Sequence, residues 1–511
     1  MFTFAVLKLN VLAKIILLLL FFVVNIPVYA EDEQTPIDWE AGIIEFDRRI
    51  GENVRRLIDD VVFTHEDTKM YCDSAYLYAD DNSLRAFSNI IIEVSDTVTI
   101  YGDQLFYDGD RRWAELTGNV RMVEPDMTLY TEYLEYDLDQ NTANYIDGGR
   151  IVDHENELLS LWGFYYADER EFFFKDEVVL INPEYIMNTD TMMYNTETEI
   201  AYFFGPTTIV SEENTIFCRN GWYDTRQDIA RFSRDAFFTN QEQSMTGDSV
   251  FYDRNRGYGK ATDNVMIRDS IENVIITGHF AEHFEQEGLS IVTREALLTM
   301  VADDDSLFLH ADTLKSVYIE ENEERQVFAY NKARFYRSDL QGLSDSIVYH
   351  MSDSIIYMYH QPVLWSDVYQ LTSEHIEVKT TEDEVKWVQL HDAAFIISEE
   401  DTLGYNQMRG RSMKGHFRDN ALWRVDVDGN GETIFYVRED DGSLAGINKA
   451  VSSNIVIFLD GAEVTGIQFV RQPEATLFPP EDLVPEDRKL RNFEWLDHRR
   501  PRGKYDIFEW R

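Results

Sequence analysis

The chain is short of cysteine, of proline and of positive charge, and each shortage narrows what it can be. Cys72 and Cys218 are its two cysteines among 511 residues. Eleven prolines against 28 tyrosines and 32 phenylalanines favour strands. Lys and Arg number 46 against 94 Asp and Glu, a net charge of −48. That balance excludes nucleic acid as a partner, because a basic footprint is missing. The sequence contains no His-Glu-x-x-His, no phosphate-cradling glycine loop and no nucleophile elbow. No stretch beyond the first thirty residues approaches the length of a membrane span. An apolar content of 44% argues against wholesale disorder, and the length points to several modules or an elongated array.

The first thirty residues have the layout of a secretory signal peptide. Lys8 and Lys14 precede the apolar run Ile15 to Val24, and Val28-Tyr29-Ala30 offers small residues before Glu31-Asp32-Glu33. The run is shorter than the roughly 20 residues a span needs, so cleavage is expected; an uncleaved anchor starting nearer Phe4 is the competing reading. No cysteine follows the run to carry a lipid. An exported, extracytoplasmic chain is the expectation.

What the sequence has in abundance is self-similarity. The stretch Tyr101–Met122, "YGDQLFYDGDRRWAELTGNVRM", is echoed from Leu129 and again from Met245. Aligned on Tyr107, Tyr136, Tyr194, Tyr223, Tyr252 and Tyr349, with weaker copies at Ala167, His283, Ser316 and Val378, the copies step by 27 to 33 residues. Two residues before each anchor stand Leu105, Leu134, Tyr165, Met192, Gly221, Val250, Ala281, Leu314, Ile347 and Ile376. Only Gly221 interrupts that apolar column. The next column mixes Phe106 and Trp222 with Glu135, Glu282 and Lys315, so neighbouring residues face different surroundings, as in a strand with one buried face. Ala114, Ala143, Ala201, Ala230 and Gly259 form a small-residue column in the second strand of each copy. Asp108-Gly109-Asp110 and Asp253-Arg254-Asn255 read as turns, and Gly118-Asn119 as the end of a second strand. No copy can bury its apolar face alone, so stacking turns the column into a continuous stripe. The fold class expected is all-β: an elongated, solenoid-like array of short antiparallel strands with repeats of about 30 residues.

The ordered pattern Gly102-Asp103-x-Leu105-x-Tyr107-Asp108, then Ala114, then Gly118-Asn119-Val120, resembles the repeat of the OstA/LptA-like proteins of lipopolysaccharide transport. The resemblance extends over most of residues 55–400 and fades toward 470. It implies an elongated β-jellyroll whose apolar interior carries lipid A acyl chains across the periplasm, close to the outer membrane. It further implies a bridge between inner and outer membranes, other jellyroll components as partners at each, and end-to-end self-association. Under that resemblance the lipid-facing candidates are Leu105, Leu134, Tyr165, Met192, Val250, Leu314, Ile347 and Ile376, and no catalytic residue or cofactor is implied. The chain is longer than a single bridge module and lacks the several hundred further residues of a fused barrel. The expected organisation is a signal peptide over 1–30, a linker over 31–54, jellyroll repeats over 55–230 and 231–470, and a proline-containing basic and aromatic tail over 471–511.

Five other patterns carry expectations. Asp73, Asp103, Asp190, Asp248, Asp312 and Asp345, with Glu132 and Glu374, recur at nearly one per repeat. Catalytic carboxylates come as local pairs, so these read as turn or strand-entry residues, with weak divalent-cation binding as the alternative. Asp426-Val427-Asp428-Gly429-Asn430-Gly431 opens like a calcium loop but has Val437 where the twelfth-position Glu belongs. A hairpin on Asn430-Gly431 between strands at 423–427 and 433–437 explains the same letters. His279 and His283 lie about 13 Å apart if in one strand, too far for one metal, and no metal site is expected. Cys72 and Cys218 fall in the column of Gly102 and Gly247, several rungs apart, which predicts two free thiols. The tail, with Arg488, Lys489, Arg491, Arg499, Arg500, Arg502 and Lys504 among Phe493, Trp495, Tyr505 and Trp510, either packs back on the acidic array or meets a partner or anionic head groups. The rival functions are a glycan-binding or glycan-cleaving β-helix and a structural surface scaffold with a filled core.

Overall fold

In a computed structural model the described residues form an array of antiparallel β-strands. The structure describes residues 35–510 apart from 47–50, 52, 95–97, 126, 154, 213, 272, 303–304, 320–323, 382–383, 401–403, 440 and 462. The predicted signal peptide lies outside the described residues. The chain divides into two compact units, one ending at Asn144 and the other beginning at Tyr145.

In the first unit the strands Val54–His65, Thr68–Tyr78, Ser83–Glu93, Thr99–Asp108, Trp113–Val123 and Met127–Asp137 pair each with the next. The expected linker contributes to this sheet: Asp38–Glu40 and Ile43–Phe46 both pair with Val54–His65. Each strand is bent once near its middle into two arms. Burial records the bend: in Thr99–Asp108 the buried positions are Ile100 and Gly102, then Leu105 and Tyr107, with Asp103 and Gln104 exposed between them. Alternation is therefore kept within each arm and slips by one at the corner.

The corner is a β-bulge on every second strand, built from residues in the left-handed region. Ser88 and Asn89, Gly118 and Asn119, Asp176 and Glu177, Arg234 and Asp235, and Asp263 and Asn264 all have φ between 47° and 81°. Gly118-Asn119 thus marks the bend of the strand Trp113–Val123 and not its end. The recurring acids belong to these corners. Asp73 accepts from Ser88 Oγ and Asn89 Nδ2, both at 2.7 Å, Asp103 from Asn119 Nδ2 at 2.7 Å, and Asp248 from Asn264 Nδ2 at 3.0 Å. Glu132 accepts from the Asn119 backbone N–H at 3.4 Å. Glycine at 118 leaves room for this arrangement, since a Cβ there would sit 2.9 Å from Asp103 Oδ2. For Asp73, Asp103, Asp248 and Glu132 the strand-entry reading is corrected: they stand in mid-strand and hold the bend of the adjacent strand, whereas Asp312 and Glu374 do stand at the entry of the strands Thr313–Ile319 and His375–Thr380.

The second unit continues the scheme from Glu171–Ile181 to Val274–Phe284. Beyond it the chain alternates between arms by hairpins. Val363–Ser366 and Tyr369–Thr372 lie on one arm, His375–Thr380 and Val385–His391 on the other, and Ala394–Glu400 and Gly404–Gly410 return to the first. Ala421–Arg438 and Leu444–Asp460 then span both arms again. The expected Asn430-Gly431 hairpin is absent: Gly429 and Asn430 form a corner bulge inside the single strand Ala421–Arg438. Asp426 there is held by Arg424 Nη2 at 2.7 Å and by His416 Nε2 at 2.8 Å.

From Leu340 onward one arm is buried on both faces, because the tail covers its outside. Glu474–Phe478 is still a strand of the sheet; after it the chain runs in short turns over a row of buried glutamines. Gln407 Nε2 donates to the Arg488 carbonyl at 2.8 Å, and the Leu490 N–H donates back to Gln407 Oε1 at 2.8 Å. Gln370 repeats the exchange with the Glu494 carbonyl and the Leu496 N–H at 2.7 and 2.6 Å. Arg500 Nε donates to Gln341 Oε1 at 2.7 Å. Leu496 packs on Trp365, Val363 and Leu343. Of the two readings for the tail, it is packing back on the array that these contacts describe.

Candidate functional site

Register across the strands, not sequence alignment, defines the interior. In the first unit Ala86, Leu105, Leu116 and Leu134 lie directly opposite one another on successive strands. On the facing arm Ile92, Ile100, Met122 and Leu129 do the same. In the second unit one unbroken row runs through Phe174, Met192, Phe203, Gly221, Phe232 and Val250, then Ala261, Ala281, Val292 and Leu314, and on through Ala329, Ile347, Met358 and Ile376. Rungs at the usual strand spacing of about 4.8 Å give a stripe without a polar side chain. Leu105, Leu134, Met192, Leu314, Ile347 and Ile376 are at most 3% exposed, and Val250 is 9% exposed. At Gly221 the stripe is filled by a neighbour, since a Cβ there would lie 2.2 Å from the Phe203 ring.

Tyr165 is misplaced by the sequence alignment. It pairs with Phe172, which pairs with Tyr194, so it belongs to the anchor row of Tyr194 and Tyr223. The Leu105-type position on its strand is Gly163, opposite Phe174. Tyr165 stacks on Phe172 with centroids 4.2 Å apart, and the space above Gly149 and Gly163 is taken by the Tyr145 ring, 2.4 and 2.2 Å from where their Cβ atoms would be. With Tyr165 as anchor, Tyr107, Tyr136, Tyr165, Tyr194, Tyr223 and Tyr252 follow at a constant 29 residues.

The small-residue column explains itself in this register. Tyr107, Ala114, Tyr136 and Ala143 alternate across the first unit, and Tyr194, Ala201, Tyr223, Ala230, Tyr252 and Gly259 across the second. Each small residue gives its strand's space to the flanking rings. The phenols end in polar partners, as buried hydroxyls must: Tyr223 donates to Asp228 Oδ1 at 2.7 Å and Tyr136 to Asn141 Oδ1 at 2.7 Å. His65 Nε2 lies 2.9 Å from the Thr35 carbonyl, which can only accept, so Tyr107 donates its hydroxyl proton to His65 Nδ1 at 2.7 Å.

Cys72 and Cys218 are free and buried. Burial, aided by Asp73, pushes the Cys72 thiol up to about 12, and burial pushes Cys218 up to about 11. Both are therefore poor nucleophiles at neutral pH. His279 lies 3.6 Å from Glu295, and His283 Nδ1 lies 2.9 Å from Ser290 Oγ.

A sequence model of the family described as OstA-like protein matches residues 39–190 and 186–248. Residues 39–248 are thus similar to OstA-like proteins. No curated protein matches the chain. Among solved structures, the chain is similar to LptH, the LptA-homologous periplasmic component of the conserved lipopolysaccharide transport device from Pseudomonas aeruginosa. The two are 15% identical, with 24% of this chain and 83% of that one covered and a TM-score of 0.21. The OstA-like segment includes the tyrosine repeat from Tyr107 to Tyr223 and the interior row as far as Phe232.

Proposed function

We propose that the chain is a periplasmic lipopolysaccharide-binding component that shields lipid A acyl chains and helps bridge the inner and outer membranes during lipopolysaccharide transport. The observation that carries this reading is the uninterrupted apolar interior row of an OstA-like array. Burying an acyl chain contributes about 0.8 kcal/mol per CH₂, so such an interior needs no polar recognition to hold lipid. Rungs of similar chemistry give similar affinity along the row, which lets a chain move from rung to rung. Direction must then come from partners that load one end and unload the other, for which further jellyroll proteins and a second copy of this chain are the candidates. The reading involves no catalysis, and the engagement of Asp73, Asp103 and Asp248 at strand corners supports that.

A second reading, a scaffold whose interior is filled, is favoured by one observation. Leu105 and Leu134 are already buried by the chain's own atoms. Photocrosslinking separates the two. The photoreactive analogue benzoylphenylalanine replaces Phe232, an interior-row residue 7% exposed, or Phe251, which faces outward beside Arg231 and Lys260. The transport reading expects lipopolysaccharide adducts in cells at position 232 and none at 251. Adducts at neither position, or equally at both, would favour the scaffold.

A further inference from the structure

One cluster of metal-ligating side chains lies outside the interior altogether. His375 and Glu377 are two residues apart on the strand His375–Thr380, and His391 stands directly opposite His375 on the paired strand Val385–His391. Ile376, Val378 and Leu390 take the interior face, so the three polar residues share the outer face of the arm that the tail does not cover. They are half-buried, with His375 and Glu377 about a quarter exposed and His391 at 40%. The Tyr359 ring is 4.5 Å from His375, and the two imidazoles are 5.2 Å apart.

The distances suit a metal better than a hydrogen-bonded pair. Glu377 Oε1 is 3.4 Å from His375 Nε2 and 3.1 Å from His391 Nε2, and one ligand atom from each residue falls within 4.8 Å of the others. Metal–ligand bonds of about 2.0–2.1 Å in tetrahedral geometry put ligand atoms about 3.4 Å apart, so small side-chain rotations close the set. Each histidine also keeps a ring nitrogen without an aligned hydrogen bond, Nδ1 of His375 and Nε2 of His391. For His391 the carboxylate is near, yet off the direction of the ring N–H. Two imidazole nitrogens and one carboxylate oxygen are donors for borderline cations, not for Ca²⁺ or Mg²⁺, which take oxygen.

We propose that His375, Glu377 and His391 form a binding site for a divalent transition-metal ion of the Zn²⁺, Ni²⁺ or Cu²⁺ class, with the remaining coordination position open to solvent. Bound there, the ion would join two strands across the outer face, away from the lipid path. Such a site departs from the expectation of no metal site. The pair at 279 and 283 was too far apart along one strand, whereas 375 and 391 meet across a hairpin.

The test uses the chain from residue 31 onward, without a histidine tag, titrated with Zn²⁺ against a chromophoric chelator. One ion per chain is expected in the wild type. His375→Gln and His391→Gln should each weaken binding by more than about a hundredfold, the upper end of what loss of an outer-shell partner costs. His279→Gln, a histidine beside Glu295, should leave it unchanged. Co²⁺ added to the wild type should give visible absorption bands of a nitrogen-ligated four- or five-coordinate site, which reports on the site should a variant misfold. Absence of stoichiometric binding and of those bands would overturn the proposal, as would undiminished binding in folded His375→Gln and His391→Gln proteins.

Discussion

Leu134→Ala is expected to lower the stability of the first unit by about 3–5 kcal/mol, the upper part of the range for truncating a fully buried leucine. Leu134 is completely buried and lies opposite Leu116, so the lost methyl groups leave a cavity between two bent arms. The neighbouring outward residue supplies the control: Glu135→Ala should change stability by less than about 1 kcal/mol, apart from the hydrogen bonds Glu135 accepts from Tyr133 and Asn144. Urea unfolding followed by tyrosine fluorescence reads both. A cost below about 1 kcal/mol for Leu134→Ala would mean that the interior at this rung is not packed.

The double replacement of Gln370 and Gln407 by leucine is expected to free the C-terminal tail. Each glutamine exchanges two hydrogen bonds with the tail backbone, and leaving those buried backbone groups unpaired costs about 1–3 kcal/mol at each site. Trp365→Ala acts on the same segment through packing, since Trp365 is fully buried against Leu496, at about 3–5 kcal/mol. Arg488, Lys489, Arg491 and Arg499 make the tail a substrate for trypsin once it lifts. Limited proteolysis should cut the wild type slowly and the double variant at least tenfold faster at these sites. Equal rates would mean that the glutamine row does not hold the tail.

The repeats were legible because identity and geometry coincide there. Leu105 and Leu134 occupy one row in space as in sequence, and so do Val250 and Ile347, and the tyrosines alternate with alanines for a reason that period-2 patterning exposes. The corners were not, because a bulge asks only for positive φ. Ser88-Asn89, Asp176-Glu177 and Arg234-Asp235 share a backbone conformation but no side-chain chemistry. Asp73 and Asp103 therefore looked like strand entries. Tyr165 falls two residues out of its row when Ala167 serves as the anchor, although the tyrosines keep a constant 29-residue step. Beyond residue 340 the arms alternate by hairpins whose letters read like the earlier bent strands. The buried glutamines there look like surface until the tail is laid over them, and His391 joins His375 only through pairing.

The central claim is that the interior row holds lipid, and mass spectrometry of lipids extracted from the purified chain tests it most directly. The chain is taken from an envelope fraction without detergent exchange, beside a folded Val250→Asp variant, Val250 being the most exposed of the row's predicted lipid-facing residues. Lipid A species carried by the wild type and depleted in the variant are the predicted result. A folded wild type that carries no lipid A and takes none up would contradict the account and leave the stripe as a core alone.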